Sequence, residues 1–364
     1  MKTSNSAYRP RSADLNINFG LLKRGPQNSI TDVPDVRVGH TTIISGEGVL
    51  RPRQGPIRTG ITTILPHSGN LYREKVPAAV HSLNGFGKSI GMMQIKELGR
   101  LESPISLTNT LNVWSIADFM VDYLEKLNPG VKSFNPLVLE CNDGFLNDVI
   151  GRHVKNDDFI NSINNAKSPN ISEGSVGAGT GMSAFGWKGG IGTASRICES
   201  LLGTYTVGVL TLCNMGDPSD LRIGSIPIGQ HLKPPGVSDE SGGSICFVIA
   251  TDAPVTARQL NRMAKRAPNG LARSGGIISH RSGSLALAFS TSQDRPQIDD
   301  AHLSTIFRGV VESTEESITN SMLRAETLEG RDSNIRRAIP IEPLQKIMTA
   351  YKNNITETFN IENI

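Results

Sequence analysis

The chain has 364 residues, 37% of them hydrophobic and 20% charged, with a formal net charge of +3. This is enough for a packed core in one large domain, while the charge is too weak and too evenly mixed to mark a nucleic-acid or membrane-surface partner. No stretch approaches the roughly 18 consecutive apolar residues of a membrane span, and the opening MKTSNSAYRPRSADLNINFG lacks the apolar segment of a secretory signal.

Many short β-branched runs are bounded by Gly, Pro or Asn, which is the pattern of strands between turns. In chain order, strands are expected over 36–44, 59–66, 105–110, 136–141, 206–213, 243–250 and 284–290. A helix is expected over 115–127. A second, over 255–267, has Thr256 as its cap and Leu260, Met263, Ala264 and Ala267 on one face. A third, long and amphipathic, is expected over 304–327. The polar segment 151–175 reads as a surface excursion and 229–243 as an exposed linker. Strands and helices mix without strict βαβ alternation, so the fold class is α+β or layered α/β rather than doubly wound.

Three stretches resemble ligand motifs without satisfying them. NGFGKS (84–89) lacks the Walker glycine, because Ser82 stands at that position. VGAGTGMSAFGWKGG (176–190) has Met182 where a dinucleotide fingerprint needs its third glycine, and reads as a tight glycine turn with a structural part near an active site. Arg258, Arg262, Lys265 and Arg266 form a basic helix face with no interleaved aromatics, which reads as solvated. Cys141, Cys198, Cys213 and Cys246 include no C-x-x-C pair and have no His at zinc-ligand spacing, so buried thiols in a reducing, cytoplasmic setting are expected, and no metal.

The stretch DESGGSICFVIATDAP (239–254) carries the sharpest chemistry. Gly242-Gly243-Ser244 before an apolar run is either an ordinary turn into a core strand or a site of self-cleavage. A strained Gly-Ser bond lets the hydroxyl attack the preceding carbonyl, and hydrolysis of the resulting ester frees a new N-terminal serine. Its α-amine, titrating near about 7.7–8.0, then serves as base to its own hydroxyl.

The blocks around this dipeptide carry a resemblance. RGPQNSITDVPDVRVGHTTI (24–43), TGITTILPH (59–67), NGFGKSIG (84–91), LECNDGFLND (139–148), CNMGDPSDLRIGSIPIG (213–229), GGSICFVIATDAP (242–254) and SGSLALAFST (282–291) appear in order. Together they resemble the family of L-aminopeptidase/D-esterases and β-peptidyl aminopeptidases, from Arg24 to about Asp332. The resemblance implies a four-layer αββα sandwich of the N-terminal-nucleophile type. It further implies one catalytic domain over 1–364 that cuts itself into 1–243 and 244–364, assembled as a tetramer of such heterodimers. The implied activity is release of N-terminal residues from small peptides, amides or esters through an acyl-enzyme, with no metal or organic cofactor.

By the same resemblance Ser244 is the nucleophile and Gly243-Ser244 the cleaved bond. Asn214 is an oxyanion donor, Glu140 holds the substrate's free ammonium, and Ser282 is a second serine near the nucleophile. Two positions depart from the family pattern. Ser284 stands where an acidic residue is common, and Asn142 stands where some members carry tyrosine, with an amide able to donate in its place. Two alternatives stay open: a catalytically impaired homologue that binds small amines, and an acyltransferase on a similar self-cleaving fold.

Overall fold

The computed structural model describes residues 9–201, 203–237, 243–292 and 297–359, with side chains to 353. The chain order is β1 (Arg37–Ser45), β2 (Ile57–Leu65), β3 (Val76–Ser82), α1 (Met92–Leu98), β4 (Arg100–Leu101), β5 (Ile105–Asn109), α2 (Val113–Leu127), β6 (Leu137–Cys141) and α3 (Asn156–Asn164). It continues with β7 (Ser183–Ala184), β8 (Trp187–Lys188), β9 (Gly190–Ser200), β10 (Gly203–Asn214), β11 (Ser244–Thr251), α4 (Ala257–Ala264), α5 (Ala267–Arg273) and β12 (Leu285–Ser290). Last come α6 (Leu303–Leu323), β13 (Leu328–Glu329), β14 (Ile335–Arg336) and α7 (Ile341–Phe359).

Two sheets stack face to face. One has the order β1-β2-β5-β6 and the other β4-β3-β12-β11-β10-β9. Only the β5–β6 and β11–β12 pairs are parallel. Alternate residues of each strand serve different layers, as the two-residue strand period requires. Cys246, Val248 and Ala250 of β11, with Leu285, Leu287 and Phe289 of β12, face Leu107, Leu139 and Cys141 across the sheet-to-sheet core. Ile245, Phe247 and Ile249 face the other way, onto Leu260, Met263, Val310 and Ile318 from the helices. On the far side, Ile116, Met120 and Leu124 of α2 and Phe159 of α3 cover Ile61 and Val138. The layers therefore run helix, sheet, sheet, helix, as expected. A strand covered on both faces reads as an unbroken apolar run, which explains SICFVIA.

Four expectations are corrected. The helix expected over 255–267 is two helices, because Pro268 has no N–H to continue α4 and its ring would meet the carbonyl of Ala264. Thr256 does cap α4, accepting from the Gln259 amide. The segment 151–175 is not merely a surface excursion: α3 lies within it, with Phe159 and Ser162 buried. The basic face is not simply solvated. Arg258 and Arg262 pair with Asp300 at 2.7 and 2.9 Å, and Arg262 and Arg266 lie over the Phe307 ring. Of the expected linker 229–243, residues 238–242 lie outside the described residues.

The third helix, α6, is not amphipathic along its length. From Glu312 to Leu323 every residue is buried. One side lies so close to β9 that a Cβ on Gly192 would stand 1.8 Å from the Ser317 carbonyl oxygen, so only glycine fits there. The other side is covered by the N-terminal arm. Leu21 and Leu22 amides donate to the Glu312 carboxylate, and Ser12 Oγ, Arg24 Nε and Asn28 Nδ2 all donate to Glu316 Oε1 at 2.8 Å. Arg196 of β9, 1% exposed, bridges Glu312 and Glu316 at 3.1 and 2.7 Å. Removing one member of such a buried ionic cluster strands the others without a counter-charge. Arg196→Met should therefore cost about 3–5 kcal/mol in urea unfolding, with part recovered on adding Glu316→Gln. A loss below about 1 kcal/mol, the scale of an exposed ion pair, would contradict this account.

Candidate active site

The β10–β11 ladder pairs Asn214 with Ser244 at the open end of the six-stranded sheet. Both line a cavity of about 560 Å³, together with Glu140 and Asn142 from the end of β6. Ser244 is the first residue of its strand, and Gly243 before it has φ +126°. A Cβ on Gly243 would lie 2.0 Å from the Asn214 carbonyl oxygen, so both backbone angle and space restrict this position to glycine.

The nucleophile candidate is held by backbone. The Gly283 N–H donates to Ser244 Oγ at 2.7 Å. Parallel pairing of β11 with β12, from Cys246 with Leu285 onward, brings the Ser282-Gly283-Ser284 turn beside Ser244. Ser282 Oγ is hydrogen-bonded to Ser284 Oγ, and Ser284 Oγ accepts from the Ile245 amide at 3.4 Å. The two hydroxyls thus form a buried pair behind the nucleophile, while the direct contact to Ser244 Oγ comes from the residue between them.

Asn214 is oriented without ambiguity. Its Oδ1 accepts from the Ser183 amide at 2.9 Å and its Nδ2 donates to the Asn142 carbonyl at 2.9 Å. An amide flip would set donor against donor, so the network fixes the assignment. One N–H of the amide is engaged, which leaves the second for an oxyanion. The Asn142 side-chain oxygen accepts from Gly144 N at 2.8 Å, which closes the turn after β6.

Glu140 is 2% exposed and its Oε1 accepts from the Lys88 amide at 2.8 Å. The loop containing Phe86, Gly87 and Lys88, which failed as a phosphate loop, instead forms a wall of this cavity. Two thiols tie the sheets together behind it: Cys246 Sγ donates to the Glu140 carbonyl (3.3 Å) and Cys141 Sγ to the Ser244 carbonyl (3.4 Å). Burial pushes the Cys141 thiol well above its ordinary range, so it stays protonated and able to donate.

The glycine turn 176–190 does take a structural part here. Lys188, fully buried, donates from Nζ to the carbonyls of Gly179, Met182 and Gly189 at 3.0, 2.8 and 2.8 Å, and so fixes the backbone beside Ser183. On the other side of Asn214, Asp143 accepts from Thr59 Oγ1 at 2.6 Å and Asn147 Nδ2 at 3.0 Å, and fixes the turn beside Asn142. Burial pushes the Asp143 carboxyl up to about 7 and brings Lys188 down to about 7. The backbone donors of Ser183, Gly283 and Lys88 were not foreseeable from side-chain chemistry. The glycine-rich composition of all three loops was the available signal.

The comparisons agree along the chain. Residues 28–336 match the model of peptidase family S58. The chain is 38% identical over 373 aligned residues to the β-peptidyl aminopeptidase BapA of Sphingosinicella microcystinivorans, covering 95% of this chain and 94% of that protein. A solved structure from Pyrococcus horikoshii OT3 matches with a TM-score of 0.90 at 47% identity, over 94% of this chain and 99% of that one. The L-aminopeptidase D-Ala-esterase/amidase of Ochrobactrum anthropi, a prototype for the serine aminopeptidases and a variant of the Ntn hydrolase fold, matches with a TM-score of 0.86 at 34% identity over the same shares.

The raised Asp143 pKa has a sign that can be tested. The folded state keeps a proton that the unfolded chain gives up above its ordinary carboxyl pKa, so this group costs stability as pH rises from about 4 to 7. Asp143→Asn cannot ionise. The Tm of the wild type should fall relative to that of Asp143→Asn across this range. Parallel Tm curves would mean that Asp143 is already charged at low pH.

Proposed function

The chain belongs to peptidase family S58 and is a peptide-bond hydrolase, and from that premise we propose that it is a self-processing serine aminopeptidase whose nucleophile is Ser244. The observation that carries this reading is the facing of Ser244 and Asn214 across β10–β11, in one cavity with Glu140.

Processing starts from the intact Gly243–Ser244 bond. Ser244 Oγ adds to the Gly243 carbonyl carbon, the C–N bond breaks, and the nitrogen takes the hydroxyl proton. This leaves an ester from Gly243 to Ser244 Oγ and a free α-amine on Ser244. Water hydrolyses the ester, giving a Gly243 carboxylate and a free Ser244 hydroxyl. The left-handed φ at Gly243 supports this reading, because a side chain there would be strained and would meet the Asn214 carbonyl.

Catalysis then uses the same atoms. The Ser244 amine, near its ordinary range of about 7.7–8.0, takes the Oγ proton as Oγ adds to the substrate carbonyl. The oxyanion that develops is met by the second N–H of Asn214, a donor whose removal costs about 10²–10³ in kcat. The amine returns the proton to the leaving nitrogen, and water releases the acyl group in a second addition. Glu140 pairs with the substrate's free ammonium, which limits substrates to those with an unblocked N-terminus. Substrates of this kind are small peptides, amides or esters. Ser284 provides a hydroxyl, not a carboxylate, behind the nucleophile, so the ammonium form of Ser244 gains no ion pair from that position.

Denaturing electrophoresis and intact mass test the processing step. The wild type should give two polypeptides joining at residue 243, and Ser244→Ala one full-length chain. Active, uncut wild-type protein would refute the model. For catalysis, Asn214→Ala should lower kcat on aminoacyl p-nitroanilides by about 10²–10³. N-acetylation of the substrate should abolish turnover by wild type. Equal rates on acetylated and free substrates would remove Glu140 from its role.

A further inference from the structure

The cavity contains a charge that this mechanism leaves unused. Among its described lining residues Glu140 is the one acid, against three cations, Lys88, Arg281 and Arg336. Lys88 is accounted for: its Nζ donates to the Phe86 carbonyl at 3.1 Å and sits 4.8 Å from the Phe86 ring centroid. Arg336 is different. It is half-buried, its Nε donates to Ser183 Oγ at 2.9 Å, and its guanidinium lies 3.6 Å from the centroid of Phe145. Its terminal nitrogens make no hydrogen bond or ion pair among the described residues. Burial lowers the Arg336 pKa, and no acid among the described residues pairs with it to offset the cost.

The support for this side chain is built from several elements. β13 and β14 form a short antiparallel ribbon. Arg331, in the turn between them, donates from Nε to the Gly144 carbonyl at 2.7 Å, and Asn334 Nδ2 donates to the Phe145 carbonyl at 2.9 Å. The Lys188 amide donates to the Arg337 carbonyl at 2.8 Å. The ribbon is thus pinned to the same turn that carries Asn142, and it holds one guanidinium edge at the cavity. A desolvated cation with no counter-charge among the described residues, and with its planar fork free, is matched to a carboxylate that arrives with the ligand.

We propose that Arg336 binds a carboxylate of the substrate, so that this site selects molecules carrying an ammonium for Glu140 and a carboxylate for Arg336. This deepens the aminopeptidase reading and rests on it. Two sources present that chemistry: the free C-terminus of a very short peptide, and an acidic side chain beside the scissile bond.

The test uses matched pairs on the wild-type enzyme. Ala-Ala against Ala-Ala-NH2 reads the C-terminal source, and Ala-Asp-NH2 against Ala-Asn-NH2 reads the side-chain source. We expect kcat/KM to favour the acid by roughly tenfold or more in one pair, carried by KM, as for a hydrogen bond to a charged group. In Arg336→Gln that ratio should collapse towards one. The ratio separates recognition from positioning, because a role for Arg336 only in steadying Ser183 and Asn214 would lower both members of a pair equally. Ratios near one in both wild-type pairs, or a ratio that survives in Arg336→Gln, would overturn the proposal. Calorimetry keeps the two readings apart. Wild-type protein is titrated with Ala-Ala analogues in which a methylene replaces the scissile carbonyl, ending in carboxylate or carboxamide. If no peptide is hydrolysed but the carboxylate analogue binds more tightly, the aminopeptidase reading fails and the Arg336 assignment stands. Equal binding of the two analogues, together with equal turnover, sinks the assignment alone.

Discussion

The register between β10 and β11 is the constraint on which the site depends. It sets Asn214 opposite Ser244, so that an amide donor and a hydroxyl share one end of a sheet whose interior is fully packed. A slip by one residue would turn Ser244 to the other face of the sheet, since alternate residues face opposite layers. The alternation of Ile245, Phe247 and Ile249 with Cys246, Val248 and Ala250 resists that slip, because each set fits a different core. Hydrophobic patterning far from the chemistry therefore fixes where the chemistry sits. The remaining parts are brought to that point: Gly283 by parallel pairing with β12, and Glu140 by the end of β6 across the sheet interface.

The positioning shell is mostly backbone and buried polar groups. Ser183 N, Asn142 O, Lys88 N and Gly283 N hold Asn214, Glu140 and Ser244 at 2.7–2.9 Å. Two buried ionisable residues, Lys188 and Asp143, fix the turns that carry the first two of these. Buried polar groups of this kind are costly unless fully hydrogen-bonded, and when satisfied they specify a single arrangement. Helix α6 repeats the theme on a larger scale, since its buried Glu312 and Glu316 are matched by Arg196 and by the N-terminal arm, and its buried Glu315 by Arg273.

All seven strands expected from β-branched runs exist, within three residues at each end, because most are covered on two faces and write their burial directly into the chain, while β1, open to solvent along its second half, is marked by its β-branched residues. The unforeseen elements are those whose burial leaves a weaker trace. β9 reads GIGTASRICES, mostly small and polar, because α6 lies too close at Gly192 for any side chain and is met further along by the buried Arg196. α3 reads NDDFINSIN, with three apolar residues among Asn, Asp and Ser, and among its described side chains α7 buries Leu344 and Met348 outright. Ser244, Asn214 and Glu140 were legible through the blocks that surround them, and the structure brings these three together in one cavity. Ser282 and Ser284 were legible as residues but not as a mutually bonded pair. Arg336 was not legible, because its place depends on a two-residue ribbon docking onto a turn nearly two hundred positions earlier in the chain.

The six-stranded sheet takes β3, β4, β9 and β10 from before Gly243 and β11 and β12 from after it. The cluster beneath α6 is divided in the same way, with Arg24 and Arg196 on one side of that bond and Glu312 and Glu316 on the other. Neither segment owns the whole six-stranded sheet or both charges of this buried cluster. Breaking the covalent link at Gly243–Ser244 would therefore leave the pieces as complementing fragments of a single cooperative unit, each serving as the other's missing core.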